Sequence, residues 1–134
     1  MDVILAETAG FCMGVDLALN RLDSLLAEEG VGEVHTLGPI IHNPQVLQHY
    51  GKRGVSVARG LEDIAPGAAV VIRAHGVPRA LQEGLEALGA RVVDATCPKV
   101  KKAQTLIQSQ ARHGKTLLLF GEEDHPEVKG LLSY

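Results

Sequence analysis

Tryptophan is absent from the 134 residues, and phenylalanine and tyrosine occur only twice each. So few rings leave no platform on which bases could stack. The formal net charge is -3, so no basic excess is available to neutralise a phosphate backbone, and no nucleic acid partner is expected. No apolar run approaches the roughly 20 residues that cross a bilayer, so no membrane partner is expected either. Met1 to Ala6 carries no basic residue ahead of its apolar part and is too short for a secretory signal. It reads as a strand, and the protein is expected in the cytoplasm. Only two cysteines are present. In a reducing compartment two thiols point to metal or redox chemistry more than to a disulfide. Low-complexity tracts and long linkers are missing. So are the usual Gly-rich phosphate loops, which disfavours a nucleotide.

What remains is an ordinary globular composition, 46% hydrophobic and 22% charged, with enough length for one core. Strand-like and helix-like segments alternate, which predicts an α/β fold built on a parallel sheet. Val34 to Leu37, Val55 to Val57, Ala69 to Arg73, Arg91 to Asp94 and Thr116 to Phe120 read as strands. Val15, Ala18, Leu19, Leu22, Leu25 and Leu26 share one helix face, as do Val100, Ala103, Ile107 and Ala111 further on. Leu81, Leu85 and Leu88 mark a helix between them.

The chemistry-bearing residues recur in one context. Four of the six prolines follow a Cys or His within three residues: His42-Asn43-Pro44, His75-Gly76-Val77-Pro78, Cys97-Pro98 and His125-Pro126. Proline suits the first turn of a helix, because its fixed φ fits and its missing N–H would have had no partner there. These residues therefore stand between strand ends and helix N-termini. Backbone N–H groups and the positive end of the helix dipole converge at such places and favour a thiolate or a bound anion. Cys12 lies between Gly10 and Gly14, where the backbone can turn sharply or approach a ligand. Ligands of parallel α/β sheets bind beyond the carboxyl ends of the strands. That rule gathers Cys12, His42, His75, Cys97, His125 and Glu127 at one edge, with thiolates for iron or zinc, imidazoles for an anion and a carboxyl group for proton transfer. A histidine before a helix can also be only its cap, and a cysteine only a small core residue. His35, His49 and His113 lack this context and read as structural or exposed. Arg73 and Lys99 flank the site, where contact with an anion is the alternative to their first reading as surface charges, and Lys101 and Lys102 read as a solvated face.

Gly10-Phe11-Cys12-Met13-Gly14-Val15, Ile41-His42-Asn43, Ala74-His75-Gly76, Asp94-Ala95-Thr96-Cys97-Pro98 and His125-Pro126-Glu127-Val128-Lys129-Gly130 resemble, in order and spacing, the successive motifs of the 4-hydroxy-3-methylbut-2-enyl diphosphate reductase family. The resemblance covers the whole chain. It implies an iron–sulfur oxidoreductase of the last step of non-mevalonate isoprenoid biosynthesis, which converts its allylic diphosphate to isopentenyl and dimethylallyl diphosphates. It implies a trefoil of three α/β units around a central 4Fe-4S cluster. By motif, Cys12 and Cys97 correspond to two of the three cysteine ligands of that metal centre, His42, His75 and His125 to substrate-binding residues, and Glu127 to the catalytic acid. An electron donor such as ferredoxin or flavodoxin is implied as a partner. Residues 1–13 then correspond to the N-terminal strand and first cysteine loop, 14–96 to the first unit, and 97–134 to an incomplete start of the second. The family's third cysteine has no counterpart among these residues, so a truncated, inactive portion of the enzyme is expected. The alternative reading is a non-catalytic module that binds zinc or a phosphorylated ligand.

Overall fold

The computed structural model describes residues 2–134. Strands β1 (Val34–Leu37), β2 (Val55–Ala58), β3 (Ala69–Ile72) and β4 (Arg91–Asp94) form one sheet of order β2-β1-β3-β4, with every neighbouring pair parallel. Helices α1 (Met13–Leu26), α2 (Pro44–Lys52), α3 (Arg79–Ala87), α4 (Pro98–Arg112) and α5 (Pro126–Leu132) complete the chain, with a single 3-10 turn at Leu61–Asp63. The parallel α/β expectation holds.

The central strand β3 is buried along its whole length, as a run of Ala-Val-Val-Ile between two helical layers should be. Its side chains alternate between faces. Ala69 and Val71 join Ala18, Leu22 and Leu25 of α1 and Tyr50 of α2 in one core, while Val70 and Ile72 join Leu85 of α3 and Ile64 in the other. Leu22 and Leu85 are completely buried, each worth about 1.5–3 kcal/mol in apolar transfer. On the α1–α2 side a polar tie adds to the packing. The Tyr50 hydroxyl donates to Asp23 at 3.1 Å, and Arg53 pairs with the same carboxylate at 2.5 Å.

The strands end level. Leu37 is in register with Ala58 and Ile72, and Ile72 with Asp94. The loops that follow β1, β3 and β4 therefore leave from one edge, and Gly38 (φ 74°) and Gly76 (φ 71°) supply the left-handed turns they need. Backbone bonds extend the β3–β4 pairing past the strands, from Ala95 N to Ile72 O and from Cys97 N to Ala74 O, both at 2.9 Å.

Two expected strands do not form. Residues 2–6 and 116–120 carry strand-like sequence but have no strand assignment. Met1 lies outside the described residues. An apolar run becomes a strand only when another strand takes up its N–H and C=O groups, and among the described residues none lies beside either segment. Val3, Ile4, Leu118 and Phe120 stand exposed as a result.

Candidate functional site

Three histidines converge at the carboxyl edge of the sheet. His42 lies in the loop from β1 to α2. The next residue, Asn43, caps α2 by accepting from the backbone N–H groups of Gln45 (3.0 Å) and Val46 (3.3 Å), which fixes how the loop enters the helix. His75 lies in the turn from β3 to α3. His125 is the N-cap of α5, and its Nδ1 accepts from the Glu127 backbone N–H at 3.3 Å. The ring of His75 is 6.2 Å from that of His42 and 5.6 Å from that of His125, centroid to centroid. Helix α5 lies against this turn, with Gly130 buried on its inner face beside the backbone of Val77 and His75.

The electrostatics of the three are unequal. Burial pushes the His75 pKa down, and the charges of Arg73, His125 and His42 add to that, while Glu127 opposes it. Nδ1 of His75 is buried without a partner. His125 spends Nδ1 as an acceptor, so its neutral ring carries hydrogen on Nε2 and offers a donor there. Glu127 is half-buried in the first turn of α5. With His125, Leu119, Phe120 and Leu131 it lines a cleft of about 300 Å³. The first-turn N–H groups of α2 are taken by Asn43, and that of Glu127 by His125, so what the edge offers an anion with several oxygens is the three imidazoles and the positive ends of the helix dipoles.

Cys97 is tied to the His75 turn by its N–H bond to the Ala74 carbonyl, and the start of the Cys12 helix lies against Cys97. Cys97 is the N-cap of α4 and Cys12 the N-cap of α1, and neither side chain caps its own helix, so both thiols are free for other partners. The first turn of α1 presses on Cys97. A Cβ at Gly14 would lie 2.9 Å from the Cys97 Sγ, so glycine alone fits that position beside the sulfur. Cys12 and His125 do not follow strands, contrary to expectation, because residues 2–6 and 116–120 form none. Their helices bring them to the edge instead. Among the described residues no three His, Cys, Asp or Glu side chains gather as a complete metal site.

Residues 3–134 match the family model described as LytB protein. The chain belongs to the LytB family. Curated relatives named 4-hydroxy-3-methylbut-2-enyl diphosphate reductase match it throughout, at 61% identity in Solidesulfovibrio magneticus, covering 48% of that protein, and at 44% in Aquifex aeolicus, covering 46%. The LytB chain thus spans about half the length of the curated relatives it matches. A solved (E)-4-hydroxy-3-methyl-but-2-enyl diphosphate reductase, described as the terminal enzyme of the non-mevalonate pathway, superposes with a TM-score of 0.86 at 44% identity, over 98% of this chain and 46% of that one. The E-1-hydroxy-2-methyl-but-2-enyl-4-diphosphate reductase of Plasmodium falciparum gives 0.87 at 28% identity, over 95% and 40%.

Several residues of this LytB chain take places that sequence reasoning did not assign. Arg73 is not a surface charge. It is half-buried, its guanidinium lies under Gly38 with Nη1 3.5 Å from the Pro39 carbonyl, and burial lowers its pKa. Lys101 is exposed, as a solvated face requires, yet it is paired with Asp94 at 2.7 Å. Gln104 is buried with its amide against Gly76, under the His75 turn. Its position four residues after Val100 put it on the apolar face, which was the signal available.

Proposed function

We propose that this chain carries the diphosphate site and two of the cluster thiolates of a 4-hydroxy-3-methylbut-2-enyl diphosphate reductase. The observation that carries the reading is the meeting of His42, His75 and His125 at one sheet edge. In this reading the diphosphate lies among their rings. Nε2 of His125 donates to it, and the N-termini of α2 and α5 add backbone dipole. Glu127, two residues past His125, gives a proton to the departing hydroxyl. Two electrons and two protons exchange the C–O bond for C–H and release water, giving isopentenyl and dimethylallyl diphosphates.

Cys12 and Cys97 suit an iron–sulfur cluster on their chemistry, both being thiols at helix N-termini with no hydrogen-bond duty as caps. A bound 4Fe-4S cluster would supply the electrons for the reduction, drawn from a donor such as ferredoxin or flavodoxin. The family's three-cysteine site needs a third thiolate, and this chain holds two cysteines. For the domain plan, residues 14–96 make the first α/β unit, since all four strands lie within them. Residues 97–134 open the second, where α4 and α5 pack together. Residues 1–13 bring the first cysteine, and the complete arrangement is a trefoil. The site of action is the cytoplasm. No helix among the described residues is long and apolar enough to cross a membrane.

The test is binding of inorganic pyrophosphate by calorimetry, with His42→Gln, His75→Gln and His125→Gln beside the parent. Each substitution should weaken binding by tenfold or more. Parent-like affinity in all three would sink the proposal.

A further inference from the structure

Cys97 stands at a corner that is braced from two sides. On one side is Gly14, whose missing side chain leaves room for the sulfur where it stands: a Cβ there would lie 2.9 Å from Sγ and 3.0 Å from the Cys97 Cβ. On the other side is Asp94, at the end of β4. One oxygen of its carboxylate accepts from the Thr96 backbone N–H at 3.0 Å and from the Thr96 hydroxyl at 2.5 Å. The other accepts from the Lys101 ammonium at 2.7 Å, one turn into α4. Asp94 thus closes the turn that presents Cys97 and ties it to the helix that Cys97 caps. Arg21 of α1 donates to the Asp94 backbone carbonyl. The helix that begins at Cys12 is therefore fastened to the corner that holds Cys97. Thr96 is buried and Asp94 half-buried, so the two Thr96 bonds are partly shielded from competing water, whereas the Lys101 and Arg21 bonds lie at the surface.

We infer that Gly14, Asp94 and Thr96 are positioning residues that set the Cys97 thiol in place before any cluster arrives, with Arg21 linking the Cys12 helix to the same frame. The inference rests on the proposed role of Cys97 as a cluster ligand. Metal ligands depend on the residues that orient them, and removing such outer partners costs roughly 10–100-fold in metal affinity. A preset thiol also needs no ordering when the cluster binds.

The experiment uses the protein at the full length of its relatives, reconstituted anaerobically, and follows iron release to a ferrous chelator. Thr96→Val removes one hydrogen bond while keeping shape, and Gly14→Ala places a methyl group against the sulfur. Both should release iron at least tenfold faster than the parent. Thr96→Ser, which restores the hydroxyl, should return the parent rate. The cluster-free protein gives an independent reading, since Cys97 should be alkylated by iodoacetamide several-fold faster in Thr96→Val. A thermal melt is run beside each variant. If Gly14→Ala fails to fold, Thr96→Val and its rescue decide the question alone. Parent-like iron release and alkylation in Thr96→Val overturn the inference. Cys97→Ser separates the two levels: full cluster retention in that variant overturns the ligand reading itself, whereas loss of cluster there with parent-like Thr96→Val overturns only the positioning role.

Discussion

His75 is the residue whose surroundings speak most directly about behaviour in solution. It lies between two other imidazoles and near Arg73, half-buried, with its pKa below the ordinary 6.5. As pH falls, the unfolded chain takes up this proton first, so folding stability is full above the usual histidine range and declines as the pH drops below about 6.5. His75→Gln should flatten that part of the decline. Urea midpoints measured across the range would show it, and an unchanged slope would mean that other groups carry it. Glu127 makes a second case. Glu127→Gln in the full-length enzyme should keep pyrophosphate affinity, since size and shape persist, and lose turnover by roughly 10²–10⁴-fold, the usual contribution of a general acid. If Glu127 only complements the helix N-terminus, at about 0.3–1 kcal/mol, steady-state rates will barely change. At this scale the sequence was only partly legible. The histidines announced themselves through the prolines behind them. Arg73 did not, because nothing local tells that Gly38, thirty-odd positions earlier in the chain, folds over its guanidinium.

Among the elements, the helices were the most readable. Their starts are written in adjacent residues: Asn43 with Pro44, Cys97 with Pro98, and His125 with Pro126. The cap at Asn43 also holds His42 against the site. Asn43→Ala should cost about 1 kcal/mol in stability, the common size for a lost N-cap, and should weaken pyrophosphate binding as well. Asn43→Asp keeps an acceptor for Gln45 and Val46 and should retain most of the stability. Chemical denaturation beside calorimetry separates the two effects. Strands were less readable for a physical reason. Ala69 to Ile72 and Thr116 to Phe120 look alike as apolar runs, but only the first has neighbours at hydrogen-bonding distance on both sides. A strand's partners lie far along the chain, so its own residues cannot say whether they are met.

The molecule as a whole buries most of its apolar residues in the sheet layers, and its exposed ones, Val57, Leu106 and Leu132 apart, concentrate in two segments and their flanks. Val3, Ile4 and Leu5 are exposed at one, and Leu118 and Phe120 at the other, next to an apolar cleft of about 330 Å³ between the end of α4 and residues 115–118. Contiguous apolar surface of this kind drives association. The 134-residue chain should therefore self-associate at high concentration. Leu118→Lys with Phe120→Lys should reduce that in sedimentation velocity while leaving the melting temperature near the parent's, because neither side chain is packed. An unaltered sedimentation profile would clear this surface of responsibility.

The sheet also contains no hairpin. Each parallel neighbour is reached by a crossover, so the register partners Val34 and Val55, Val34 and Ala69, and Ala69 and Arg91 are roughly twenty to thirty-five residues apart in the chain. Such distant pairings close slowly, since chain entropy is lost before the contacts form. The Cys97 corner hangs from β3 through the bond to the Ala74 carbonyl, so its frame waits for β3 and β4 to meet. Throughout that search the Cys97 thiol, half-buried once the corner has formed, stands open to solvent, while Cys12 is exposed before and after. Oxidant present during folding should therefore modify Cys97 more than the same oxidant added afterwards, and Cys12 about equally in both.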